Sequence, residues 1–216
     1  MIKIIIADDH KIFRESLIML FNAMGNYKVI AEASNGNELL KLLEQYNPDV
    51  VILDISMPGM DGIEAIEIIS KKHPGLNVLV LSMYDDEKYY LKMVECGVKG
   101  FILKDAGSDE LEKALSAIVG GDHYFSQQLL RKIVVQSSKS EKPRLPALNK
   151  LSKREKEVLF YICKGYSNKE ISEALQISPR TIEIHKTHLI EKTGAKNTIN
   201  LILYSLSNKL FSINDL

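Results

Sequence analysis

VVILDISMPGMDG, residues 50–62, begins with four apolar residues in succession, ends that run on a bare carboxylate, Asp54, and then turns through Met57, Pro58 and Gly59. Consecutive apolar positions suit a strand covered on both faces, as in a parallel sheet flanked by helices. A carboxylate at the edge of such a core is costly unless something binds it or uses it. The same pattern recurs across the first 120 residues: IKIIIA precedes an amphipathic stretch over 11–24, YKVIAEA precedes 36–46, VVILD precedes 62–73, NVLVLS precedes 86–96, and GFILK precedes 108–119. Five βα units follow from this reading, an α/β (βα)5 doubly wound parallel sheet whose ligand crevice lies at the carboxyl ends of the strands.

After Tyr124 the strand signals stop. Residues 127–136 can extend as a helix, and SSKSEKPRLPALNK, residues 137–150, has the Ser, Lys and Pro content of a flexible linker. The remainder is helical by pattern, with segments at 153–164, 168–175, 179–192 and 198–210, a small all-α four-helix module. Ser178 is placed to cap the third of these, with Pro179 at its first position. The expected division is therefore residues 1–124, an extension and linker over 125–147, and a second domain over 148–216.

The net charge of zero conceals two opposite halves: residues 1–124 carry 12 Lys and Arg against 20 Asp and Glu, and residues 125–216 carry 16 against 8. An acidic unit joined to a basic one suits a regulatory or catalytic part coupled to a part that meets nucleic acid. No apolar run approaches the length of about 18 residues that a membrane span needs, and MIKIIIADD reaches acids too soon for a secretory signal, so a cytoplasmic protein without membrane contact is expected. Cys96 and Cys163 lack metal-ligand spacing and read as reduced packing thiols, and the five scattered histidines suggest no metal site.

Asp8 and Asp9 stand at the end of the first strand and Asp54 at the end of the third, which are neighbours in a doubly wound order. Carboxylates gathered in one crevice repel, and a hard divalent ion with oxygen preference, Mg2+, relieves that repulsion. The fourth strand ends at Ser82, a hydroxyl, and the fifth at Lys104, an ammonium. A nucleophilic carboxylate, metal ligands, a donor and a cation are what phosphoryl transfer to Asp54 needs. Taken singly, Asp9 can instead cap the first helix, Ser82 can simply end a strand, and Lys104 can be a surface lysine. Pro58 and Gly59 suit a tight turn that holds the acid in place, and Asp61 is placed to cap the next helix.

Residues 1–120 resemble the receiver domain of bacterial two-component response regulators, a flavodoxin-like fold. The resemblance makes Asp8 and Asp9 the acidic pair, Asp54 the phosphoacceptor, Ser82 the switch hydroxyl, Phe101 the aromatic switch position and Lys104 the lysine of the site. It also implies that the backbone carbonyl of Ser56 binds Mg2+ with Asp8, Asp9 and Asp54, and that Ser56 and Tyr84 border the phosphoryl group. Asp105 departs from the family, where a proline with a cis bond often follows the lysine.

In the basic half, LSKREKEVLFYICKGYSNKEISEALQISPRTIEIHKTHLIEKTG reads as a helix-turn-helix, with Ile171, Leu175, Ile177, Ile182, His185 and Leu189 facing inward. The complementary face of the second helix presents Arg180, Glu183, Ile184, Thr187 and His188 to a major groove, with Glu183 accepting from cytosine, Ile184 touching a thymine methyl and Thr187 bonding either base type. Lys169, Thr181, Lys186 and Lys192 are candidates for phosphate contacts. A four-helix module of this charge can equally bind protein. The segment resembles the LuxR-type DNA-binding domain, and its pairing with a receiver is the NarL/FixJ class of response regulator; Glu183 stands where some members carry lysine.

The resemblance implies a non-enzymatic transcription regulator: a sensor histidine kinase phosphorylates Asp54, and this controls dimerisation and binding to promoter DNA. Two rivals are a receiver that acts through protein contacts alone and a phosphatase with an aspartyl nucleophile. The phosphatase normally places a second acid two residues after the first, where Ser56 stands. A flavin carrier is disfavoured because three acids would repel the flavin phosphate.

Overall fold

Six strands, β1 (Ile2–Ala7), β2 (Tyr27–Ala33), β3 (Val50–Asp54), β4 (Asn77–Ser82), β5 (Gly100–Leu103) and β6 (Tyr124–Phe125), form one sheet in the order β2-β1-β3-β4-β5-β6. The computed structural model describes residues 1–83, 92–93, 96–126, 151–195, 198–208 and 210–211. β1 to β5 pair in parallel, and the register sets Ala7 beside Leu53 and Asp54 beside Leu81. The carboxyl ends of β1, β3 and β4 are thereby level. The expected neighbours, β1 and β3, are adjacent. β6 was not expected; at two residues it is too short to show alternation, and the Tyr124 N–H donates to the Lys99 carbonyl at 2.9 Å.

Three helices follow strands within this unit, α1 (Lys11–Met24), α2 (Gly36–Gln45) and α3 (Gly62–Lys72), and α4 (Ser108–Val119) follows β5. Local chemistry sets their ends. Gly25, at φ 74°, closes α1, the Asn35 side chain accepts from Glu38 N–H to start α2, and Asp61 accepts from Ile63 and Glu64 N–H to start α3. One core packs Leu17 and Phe21 of α1 and Leu111, Leu115 and Ile118 of α4 on Ile4, Ile6, Val50, Ile52, Leu79, Leu81 and Ile102. Strand alternation carries each row one step further: Asp8 continues Ile4 and Ile6, Asp54 continues Val50 and Ile52, and Lys104 continues Ile102. The polar site is the core row prolonged past its apolar end. The helix expected over 86–96 lies mostly outside the described residues, as do Tyr84, the extension and the linker.

The chain divides into two compact units, residues 1–124 and 125–216. In the second, α5 (Lys153–Cys163), α6 (Asn168–Leu175), α7 (Pro179–Thr193) and α8 (Thr198–Ser207) surround Val158, Leu159, Ile162, Ile171, Ile182, Leu189 and Leu201, all buried. Ser152 with Glu155, and Ser167 with Glu170, form reciprocal capping boxes on α5 and α6, and Ser178 with Pro179 starts α7. The turn between α6 and α7 passes through Gln176 at φ 53°, and the Ser172 hydroxyl closes it by donating to the Ile177 carbonyl. Both cysteines are free thiols. Burial pushes the Cys163 thiol up to about 12, opposed by its hydrogen bond with the Ser205 hydroxyl. No helix among the described residues is long and apolar enough to cross a membrane.

Candidate functional site

At the carboxyl ends of β1, β3 and β5 the Lys104 ammonium stands between two carboxylates, 2.8 Å from Asp8 Oδ2 and 2.9 Å from Asp54 Oδ2. Asp8 and Asp54 are each only 2 % exposed, which makes the electrostatics of the group strong. Burial is the largest influence on Asp54 and raises its pKa from 3.8 to about 6, with nearby Asp8 adding to the rise; Lys104 and the Ser56 N–H oppose it. Burial also works against the charge on Lys104, but its bonds to Asp8 and Asp54 prevail and raise its pKa. Lys104 additionally lies 5.1 Å from the centroid of the Phe13 ring.

Backbone contacts hold these groups in place. The Lys104 N–H donates to the Ser82 carbonyl at 2.8 Å, which ties the ends of β4 and β5 together. Arg14 donates to the Asp8 carbonyl at 2.7 Å and to Glu32 at 3.1 Å, clamping the end of β1 against β2. Gly62 donates to the Ile55 carbonyl at 2.8 Å, and a Cβ there would run into the Asp54 carbonyl oxygen. Gly59 takes φ 75°, as expected for the Pro58-Gly59 turn, and Asp61 is the expected cap. Asp9 does not cap α1: its N-cap is His10, which makes no side-chain capping bond.

Asp8, Asp9, His10 and Asp54 each place one ligand atom within 4.8 Å of the others. The carboxylates outnumber the one ammonium among them. Hard oxygen donors with uncompensated charge fit a divalent cation. His10, which no metal-ligand spacing in the sequence singles out, lies in this group. His10 reaches Asp9 Oδ1 at 2.8 Å and Asp8 Oδ1 at 3.3 Å because it turns back directly after the acidic pair. Ser82 is fully buried at the end of β4 and its hydroxyl donates to the Met83 carbonyl at 2.8 Å; Phe101 is fully buried in β5; Ser56 is exposed in the loop after β3. All peptide bonds among the described residues, including the one before Asp105, are trans.

Linkage gives the buried acid a pH signature. The folded chain binds the Asp54 proton more tightly than the unfolded chain does, so this contribution to stability is complete below pH 3.8 and is lost as pH rises through about 6. In urea denaturation with a chelator present, the stability of Asp54→Asn relative to the parent should rise between pH 4 and 7. A difference independent of pH would show that the carboxyl is not destabilised by burial.

In the second unit, Arg180, Ile184, Thr187 and His188 are exposed on α7, and Lys169 is exposed on α6. Ile184 is 48 % exposed, unusual for so apolar a side chain, whereas Ile182 and Leu189 are wholly buried and His185 is half-buried on the inward side. Thr181 and Lys186 are partly exposed. Two of the expected DNA groups are engaged within the unit: Glu183 accepts from the Asn168 amide, and Lys192 meets both oxygens of Glu155 at 2.7 and 2.8 Å. The Thr187 hydroxyl donates back to the Glu183 carbonyl at 3.0 Å.

Glu155 is buried, caps α5 and anchors α7 through Lys192, a role that its place three residues after Ser152 reveals only in part. Glu155→Ala should lower the stability of the second unit by about 2 kcal/mol, read as a urea midpoint, because a cap and an ion pair are lost together. Glu155→Gln, which keeps the reach to the cap, should lose less. Equal midpoints for all three proteins would deny the anchor.

A buried lysine between two carboxylates at the carboxyl ends of a parallel sheet, with a capped helix-turn-helix further along the same chain, is the arrangement of a receiver followed by a DNA-binding module. The chain belongs to the response regulators: residues 4–116 match the response regulator receiver domain, and residues 149–205 match the LuxR family of bacterial regulatory proteins. It is 38 % identical to the oxygen regulatory protein NreC of Staphylococcus aureus, over 96 % of this chain and 98 % of that protein. Among solved structures it is similar to RcsB from Salmonella enterica serovar Typhimurium bound to promoter rprA in the presence of the phosphomimetic BeF3- (28 % identity, TM-score 0.58, covering 97 % of this chain and 100 % of that one). It is also similar to ChrA, the response regulator of a heme-sensing two-component system (31 % identity, TM-score 0.54, covering 97 % of this chain and 98 % of that one).

Proposed function

We propose that this response regulator controls transcription through phosphorylation of Asp54, with residues 1–124 as receiver, 125–147 as the joining segment and 148–216 as the DNA-binding domain. The observation that carries the proposal is the Lys104 ammonium held at 2.8 and 2.9 Å between the buried carboxylates of Asp8 and Asp54. Asp54 is the nucleophile: its carboxylate forms the new O–P bond, the P–N bond to a sensor kinase histidine breaks, and the imidazole leaves with a proton. Asp8, Asp9, Asp54 and the Ser56 carbonyl would hold Mg2+, which supplies neutralisation for the phosphoryl oxygens. Lys104 then exchanges its bond to Asp54 for one to a phosphate oxygen. Ser82 supplies a hydrogen bond, Phe101 repacks behind it, and a second arrangement of the domain gains population.

The active form dimerises and reads two half-sites about one DNA turn apart. RcsB bound to a promoter supports duplex DNA as the ligand. On α7, Arg180, Glu183, Ile184, Thr187 and His188 face bases, and Lys169 of α6 with Thr181, Lys186 and Lys192 of α7 faces phosphates. Glu183 and Lys192 would exchange their bonds to Asn168 and Glu155 for bonds to DNA.

Treatment with acetyl phosphate and Mg2+, followed by borohydride reduction and peptide mapping, tests the acceptor. Homoserine at position 54 is the expected product. Modification at another residue, or none, would overturn the assignment.

A further inference from the structure

Lys192 and Glu183 are both engaged inside the second unit, with different consequences for DNA. Lys192 is paired with Glu155, and exchanging that pair for a phosphate alters affinity alike on every sequence, because phosphates carry no base information. Glu183 faces bases. Its carboxylate accepts from the side-chain amide of Asn168, which stands at the first position of α6 and is only 9 % exposed. The capping box holds Asn168 in place: Ser167 accepts from Glu170 N–H, and Glu170 accepts from Ser167 N–H at 2.8 Å. Glu183 itself lies on the exposed side of α7 beside Ile184. A long exposed side chain thus has a fixed partner within its own domain.

We infer that Asn168 sets the stringency of DNA reading: its amide competes with the bases for Glu183 and makes α7 tolerant at one base pair of each half-site. The inference rests on the proposed function's reading that α7 enters the major groove. A carboxylate only accepts, so it matches the exocyclic amino group of cytosine or adenine and is repelled by O6 and N7 of guanine or O4 of thymine. Discrimination by such a group comes chiefly from the wrong base, opposite which the carboxylate is desolvated and unpaired. With Asn168 in reach, Glu183 opposite guanine or thymine keeps the bond it already has, and the penalty shrinks. Opposite cytosine or adenine it gives up one hydrogen bond to make another, and the gain shrinks. Both effects lower discrimination, and removal of the amide restores it.

The test uses the full chain treated with acetyl phosphate and Mg2+, beside Asn168→Ala, Glu183→Ala and the double variant treated alike. Selection from duplexes with randomised half-sites gives the preferred sequence of the parent, and the base pair whose preference Glu183→Ala alters is the one Glu183 reads. Two duplexes differing only at that base pair are then titrated. The ratio of their dissociation constants is the readout, because lost folding or lost phosphate contacts weakens both alike. The ratio should rise about fivefold in Asn168→Ala and should not respond to the same substitution once Glu183 is alanine. Asn168→Asp, which keeps the shape and suits a helix N-terminus but offers the carboxylate no donor, should give a similar rise. An unchanged or smaller ratio in both Asn168 variants, or a rise that persists without Glu183, would overturn the inference and leave DNA reading by α7 standing. A parent that selects no sequence would overturn the inference and the proposed function together.

Discussion

Asp54→Asn is expected to abolish phosphorylation by acetyl phosphate and, with it, every phosphate-dependent change in DNA binding, while the protein remains folded. The amide has the shape of the carboxylate but is too weak a nucleophile to accept a phosphoryl group, so the loss of labelling should be complete. Folding should survive because the ionised acid is disfavoured where it stands: burial raises it to about 6 despite Lys104. Labelling is measured by intact mass after exposure to acetyl phosphate and Mg2+. A variant that still gains a phosphoryl group would remove Asp54 from the mechanism, and a variant that fails to fold would show that the acid is structural.

Gly62→Ala should have the second largest effect, about 3 kcal/mol of lost stability in the receiver together with loss of labelling. A Cβ at this position would run into the Asp54 carbonyl oxygen and lie 2.8 Å from Ile55 Cα and 3.0 Å from the Asp54 carbonyl carbon. All three are backbone atoms, which cannot rotate away as a side-chain tip can. The first turn of α3 would have to retreat from β3, and Asp54 would leave its distance to Lys104. Gly59→Ala is the contrast, since that glycine has φ 75° and open space around it. It should cost about 1 kcal/mol, from backbone conformation alone. Urea denaturation of both variants checks the ranking, and equal costs would deny the close approach of α3 to the acceptor.

The sheet was legible because parallel strands announce themselves as unbroken apolar runs, and the site was legible because Asp8, Asp54 and Lys104 each extend such a run by one residue. Caps at Asp61 and Ser178 were equally local and were read from spacing. What escaped depended on tertiary approach. MPGMDG shows a turn and a cap, but only the packing of α3 against β3 shows why its last residue is glycine. Lys192 looks like a free cation until Glu155, 37 residues away, comes to meet it. Asn168 bonds Glu183 across the turn between α6 and α7, which heptad-like spacing does not reveal. The 2.8 Å contact of His10 Nδ1 with Asp9 Oδ1 is likewise a matter of side-chain direction that sequence order does not reveal.

Footprinting of promoter DNA by the full chain, with and without phosphorylation, tests most directly whether the charge placed on Asp54 governs the helix-turn-helix. Phosphorylated protein should protect paired half-sites about one turn apart, at a concentration where unphosphorylated protein and Asp54→Asn protect neither. Identical protection by all three would contradict the account.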